Sequence, residues 1–244
     1  MATPVGGGFP TVAQPWILVV GDSISSGYTL DPARTGVNSS WPVQMQAQLK
    51  KRGVAWGLFD TACPSETTET YRGHCAQHDK VASLPSIPQY DLAMRTIQER
   101  KPGLRAIVVE LGANDLFQAA QRGDKSPEVV SGMKSRLDGI VRELRTAAPG
   151  VPVAVATVYD PFENKGDGEL GALKGANDAI REVAKSNGAQ VAYFFAVMNT
   201  PEPPDPRLCV LIDCAHEDIH PTIAGHAALA EEVIRALGSP ARPR

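Results

Sequence analysis

The chain has 244 residues, 43% of them apolar, with a formal net charge of −3 and a pI near 6.0. That is enough chain for one large domain or two small ones with a real core, and it offers no basic footprint for nucleic acid or acidic lipid. The densest basic cluster, Lys50-Lys51-Arg52, reads as the solvated end of a helix, and no stretch approaches the roughly 20 apolar residues of a membrane span.

Residues 1–14 read as a floppy Gly/Pro leader with no charged-then-apolar secretion signal, ahead of one domain over 15–240. Five short apolar, β-branched runs then follow as candidate strands: 16–20, 54–59, 106–111, 151–158 and 191–197. A helix is predicted over about 40–52, after the first run. The stretch from 63 to 90 reads as long and irregular. After the third run, Ser126 can cap a helix whose apolar residues fall at Val129, Val130, Met133, Leu137, Ile140, Val141 and Leu144, ending before Pro149 and Gly150. Weaker helical patterns cover about 169–186 and 221–237. This alternation argues for a parallel sheet with helices on both faces, in which ligands bind at the carboxyl ends of the strands.

The four cysteines form two close pairs, Cys63 with Cys75 and Cys209 with Cys214. Four cysteines allow three connectivities, of which local pairing is the simplest, and disulfides imply an oxidising compartment. The chain therefore reads as secreted, its signal removed. The rival is a metal site, since His74 and His78 flank Cys75 and His216 follows Cys214, but the Cys-x-x-Cys spacing of structural zinc is absent.

Reactive groups gather at the predicted carboxyl edge. The first strand runs into Gly21-Asp22-Ser23, the second into a loop holding Ser65, and the third into Gly112-Ala113-Asn114-Asp115. Glu217, Asp218 and His220 precede the last helix. A serine hydroxyl needs a base to accept its proton, and imidazole suits that role at neutral pH. The base needs an acceptor on its other nitrogen. Ser23, His220 and Glu217 can fill these roles, with the N–H groups of Ser23 and of the second loop and the Asn114 amide as oxyanion donors. Taken singly, Gly-Asp-Ser can be a helix cap, the Asn114 segment a polar loop, and His220-Pro221 a helix start. His74, His78 and His226 read as exposed or structural.

Taken together and in this order, the GDS after the first strand, the GAND after the third and the HP before the final helix resemble the GDSL, or SGNH, serine hydrolases, over residues 16 to about 237. The resemblance implies a flavodoxin-like α/β/α three-layer sandwich on a five-stranded parallel sheet, with ester hydrolysis that uses no metal or cofactor. It implies Ser23 as nucleophile, His220 as base and Asn114 in the oxyanion hole. The segments "ACPSETTET...GHC" and "LCVLIDC" also look like a secreted bacterial lipase/esterase branch, which supports local disulfides.

This chain departs from the family pattern twice. Ser65 stands where the family has a glycine whose N–H completes the oxyanion hole, and its hydroxymethyl group is expected to alter selectivity. The family's acid is an Asp three residues before the histidine, so Glu217 is expected in that role, with Asp218 as fallback. Tyr28, Leu116 and Phe117 are candidates for apolar lining. No lid-like insertion stands out, and soluble short- to medium-chain esters are the expected substrates. A carbohydrate O-deacetylase and a non-catalytic binding module are the alternatives. Nothing argues for or against a homo-oligomer.

Overall fold

The computed structural model describes residues 14–30, 39–75, 77, 87–124, 126–165, 170–199 and 204–238. Within them, β1 (Trp16–Gly21), β2 (Gly57–Asp60), β3 (Leu104–Glu110), β4 (Val153–Ala156) and β5 (Gln190–Ala192) form one sheet. Every pairing is parallel, in the order β2-β1-β3-β4-β5. This is the flavodoxin-like order, and its switch point lies between β1 and β3, where two neighbouring strands send their connections to opposite sides. The expected leader, residues 1–14, lies almost wholly outside the described residues.

Both faces of the sheet are covered because the central strands are apolar on both sides. In β1, Leu18 and Val20 point into one core while Ile17 and Val19 point into the other, the period-2 alternation of a strand. The first core is closed by α3 (Gln89–Arg100), α5 (Pro127–Ala147) and α6 (Leu170–Ser186). The second is closed by α2 (Trp41–Lys51) and α9 (Ile223–Ala236), with the short α7 (Phe194–Met198) beneath them. Helix α5 buries Met133, Leu137, Ile140, Val141 and Leu144, the stripe its sequence shows.

Three expectations are corrected. The run 191–197 is strand only as far as Ala192. β4 itself ends at Ala156, so the chain beyond has no ladder partner, and Thr157 Oγ1 instead accepts the Phe195 N–H at 3.0 Å as α7 begins. The stretch 63–90 is followed at once by α3, whose Tyr90, Ala93, Met94 and Ile97 recur at helical spacing amid polar residues. The Asn114 segment is not loop but the first turn of α4 (Ala113–Gln121).

Two disulfides are present, Cys63–Cys75 and Cys209–Cys214, so no described thiol is free to bind zinc. No described helix is long and apolar enough to cross a membrane. The Cys63–Cys75 bridge closes a loop of sequence separation 12. Replacing both with serine is expected to cost about 3 kcal/mol and to lower the thermal midpoint by roughly 6–12 °C, measurable by calorimetry.

Candidate active site

The nucleophile turn begins with a glycine that cannot be replaced without displacing its neighbours. A Cβ on Gly21 would lie 2.2 Å from Ser25 Oγ and 3.1 Å from Glu110 Oε2. Asp22 then caps the one-turn helix α1 (Ser23–Ser26), its Oδ1 accepting the Ile24 N–H at 2.9 Å. Gly27, at φ 72°, ends α1 in the left-handed conformation. The helix-cap reading of this motif is therefore also correct, and the cap is what sets Ser23 at the mouth of the sheet. Ser23 lines a small pocket with Asp22, Asn114, Phe117, Thr157, Tyr159 and Ile219.

Asn114 occupies the first turn of α4, and its Nδ2 donates to Asp22 Oδ2 at 2.9 Å. One amide proton is thus anchored on Asp22, which leaves the second for a group in the pocket. The next residue ties this helix to the second loop. Asp115 accepts from the Thr68 N–H at 2.9 Å and Thr68 Oγ1 at 2.6 Å, and Arg136 bridges both residues. Sequence reasoning missed Asp115, although it is the last letter of the motif.

Ser65 sits in the turn that this latch holds. The Glu66 N–H donates to the Cys63 carbonyl at 3.1 Å, with Pro64 and Ser65 at the turn's centre. Its φ of 66° is left-handed, the position a type II turn normally gives to glycine. Gln118 Nε2 donates to the Ser65 carbonyl at 3.1 Å and Gln77 Nε2 to its Oγ at 3.3 Å, so neighbouring side chains hold it there. Ser65 is not among the lining residues of the pocket at Ser23.

The acid expected at Glu217 is not there. Glu217 is exposed and left-handed, φ 53°, at the end of a single 3-10 turn over Cys214–His216. That reversal doubles the chain back, and Asp218 takes the place against His220. Asp218 Oδ1 pairs with His220 Nδ1 and accepts the His220 N–H at 3.1 Å, while Oδ2 accepts the Leu30 N–H at 2.9 Å. Burial opposes ionisation of Asp218, but the hydrogen bonds from His220 and Leu30 and the charge of His220 outweigh it and hold the carboxyl at about 2. Asp218 is therefore ionised at neutral pH.

Tyr28 packs edge-on against the His220 ring, 5.5 Å between centroids, and lies outside the lining of both described pockets. His226 is buried, with no hydrogen-bond partner on Nδ1, and burial and then the charge of His220 push it down to about 3. It therefore stays neutral at neutral pH. His74 is exposed, and His78 lies outside the described residues.

A second, larger pocket of about 630 Å³ opens beside the first and shares Ala113, Phe117, Val158, Tyr159 and Pro161 with it. Its walls are mostly apolar and include Leu116, Phe162, Val130 and Leu173 from α4, α5, α6 and the segment after β4. Phe117 and Phe162 meet edge to face at 5.9 Å on its rim. Leu116 and Phe117, two of the expected lining residues, are thus in it.

The fold is an α/β sandwich of the flavodoxin-like class, with Ser23 and Asn114 in the segments that follow β1 and β3 at the carboxyl edge of the sheet. Residues 19–228 match the model of the GDSL-like Lipase/Acylhydrolase family, and the chain belongs to that family. It is a carboxylic ester hydrolase. No curated protein matches the sequence. Among solved structures, the fold resembles an acetylxylan esterase, Axe2, from Geobacillus stearothermophilus, with a TM-score of 0.65 at 15% identity over 94% of this chain and 97% of that one. A putative GDSL-like lipase from Parabacteroides merdae aligns with a TM-score of 0.65 at 13% identity over 94% and 99%. TesA aligns with a TM-score of 0.59 at 20% identity over 91% and 97%.

If Asp218 orients the base, Asp218→Asn lowers kcat by about 10³–10⁴ while Glu217→Gln stays within a few-fold, as steady-state kinetics would show. Ser65→Gly relieves a left-handed serine. It is expected to raise stability by about 1 kcal/mol and to change the ester preference, read from a thermal melt and a substrate panel.

Proposed function

We propose that the chain is a serine carboxylesterase acting through an acyl-enzyme, with Ser23 as nucleophile, His220 as general base and Asp218 as its orienting acid. The observation that carries this reading is the buried His220–Asp218 pair, next along the chain to Ile219, which lines the pocket at Ser23. His220 Nε2 takes the proton as Ser23 Oγ attacks the ester carbonyl, and Asp218 stabilises the imidazolium through Nδ1. The Ser23 N–H and the free Asn114 amide proton receive the developing oxyanion, and the Ser65 N–H, whose residue lies outside the lining of that pocket, is the third donor that the family pattern implies. His220 returns its proton to the departing alcohol, and water repeats the cycle on the acyl-enzyme. None of these steps calls on a metal or cofactor.

The acyl group is assigned to the larger pocket. Most of the wall is apolar and continuous with the pocket at Ser23, which favours an alkyl chain, with Asp124, Ser126, Ser131, Lys134 and Asp160 making up the polar remainder. Medium-chain acyl esters of small alcohols are therefore the proposed substrates. The two disulfides fit a protein that works outside the cytosol, and secretion is part of the proposal.

The test is hydrolysis of a p-nitrophenyl ester series from acetate upward, with a chelator present. Activity that rises with chain length and disappears in Ser23→Ala is expected. Ala120→Phe, which fills the larger pocket away from Ser23, shifts the preference toward acetate. Activity on acetate and acetylated sugars alone, unchanged by Ala120→Phe, would replace this reading with a carbohydrate deacetylase.

A further inference from the structure

Directly beneath the nucleophile turn lies a carboxyl group that the mechanism above does not use. Glu110 is the last residue of β3, and the parallel register sets it beside Gly21, the last residue of β1. It is 6% exposed. Its Oε2 accepts from Ser25 Oγ at 2.8 Å and from the Asp22 N–H at 3.3 Å, and Trp41 Nε1 donates to the same Ser25 Oγ at 3.2 Å. Asp22 itself is fully buried, and its charge acts on the Glu110 carboxyl.

Two buried carboxyl groups at neighbouring strand ends resist being ionised together when no cation compensates them. Among the described residues neither has a lysine or arginine partner. The other titratable groups facing the pair are Tyr159, whose phenol burial keeps neutral, and His220, which favours an ionised Asp22. Glu66 stands behind Gln89, which bridges it to the Gly21 backbone, and Asp115 adds its charge near Glu66. One proton must therefore reside on the pair. The choice of holder follows from what each group has to do. Asp22 must accept from the Ile24 N–H and from Asn114, which an ionised carboxylate does best, whereas Glu110 has the more enclosed position.

We propose that Glu110 is a positioning residue that stays protonated at neutral pH and donates to Asp22, so that an ionised Asp22 fixes both α1 and the Asn114 amide for the oxyanion. The inference rests on the serine-esterase reading. Electrostatics agree in direction: burial and then the Asp22 charge push Glu110 well above the usual carboxyl range, while burial brings Asp22 only to about 6. For a carboxyl raised in the fold, the favourable neutral form is complete at low pH and is lost as pH rises through the folded value. Ionising Glu110 at alkaline pH then places two charges under the nucleophile and should release Asn114.

The experiment compares wild type, Ser23→Ala, Glu110→Gln and Glu110→Ala on one p-nitrophenyl ester across pH, together with infrared spectra of wild type and Glu110→Gln. Glutamine keeps the acceptor for Ser25 and supplies a donor to Asp22 that does not titrate. The expected result for Glu110→Ala is a kcat about tenfold to hundredfold lower with KM nearly unchanged, since a misaimed oxyanion donor acts on the transition state. Glu110→Gln should hold kcat within about threefold at neutral pH and keep its activity at alkaline pH, where wild type declines. Wild type should show a protonated-carboxyl stretching band at neutral pH that Glu110→Gln lacks. A wild type without that band, or alkaline limbs that superpose, would overturn the proposal, and both readouts stand even if Glu110→Ala fails to fold. Hydrolysis that survives Ser23→Ala would instead overturn the esterase reading on which it rests.

Discussion

The parallel ladder between β1 and β3 is the constraint on which the site depends. It sets Gly21 beside Glu110, so the two strands end together and their following segments leave from one place. The first segment becomes α1 with Ser23 in its first turn, and the second becomes α4 with Asn114 in its first turn. Because both strands are buried on both faces, a slip of one residue would exchange the side chains of the two cores, and the packing on each face fixes the ladder accordingly. Ser23 and Asn114 inherit that precision from the sheet, and the Asp22 cap and the Asn114–Asp22 hydrogen bond fix it locally.

Around this ladder the polar groups form a chain of dependencies. Asp22 caps α1 and holds Asn114. Asp115 latches the loop of Ser65 to α4, and Asp218 grips His220 while tying down the Leu30 N–H. Three aspartates thus each serve two elements, so each loop at the edge is defined by another. Such groups carry a folding cost. Asp22, raised to about 6 by burial, would be more comfortable neutral, and Ser65 occupies a left-handed turn position that a glycine would fill with less strain. Concentrating such costs at a reacting centre is the usual trade of stability against activity.

The larger pocket gives the reading its substrate character. It is built where α4, α5 and the segment after β4 fail to close over one another, and its walls are continuous with the chamber of Ser23. An alkyl chain entering it along its apolar walls would lose contact with water, a source of affinity that grows with each methylene at about 0.8 kcal/mol. The Phe117–Phe162 pair forms part of its wall, and Phe117 also lines the pocket at Ser23.

The sequence by itself determined the architecture and the identities of Ser23, Asn114 and His220 as residues to examine. Strand runs such as 16–20 and the stripe of α5 carry their periodicity in the chain, and the cysteines lie close enough in sequence to pair locally. It did not determine α3, whose apolar residues are diluted by polar ones, nor the end of β5, which depends on where β4 stops. It also could not choose between Glu217 and Asp218, because spacing counts residues while reach depends on backbone direction. Only the folded chain, with its left-handed step at Glu217, turned Asp218 onto His220. Glu110 reads in sequence as one charge at the end of an apolar run. Its meaning arises solely from the strand beside it, since a carboxyl's protonation is set by what surrounds it in space and not by its neighbours along the chain.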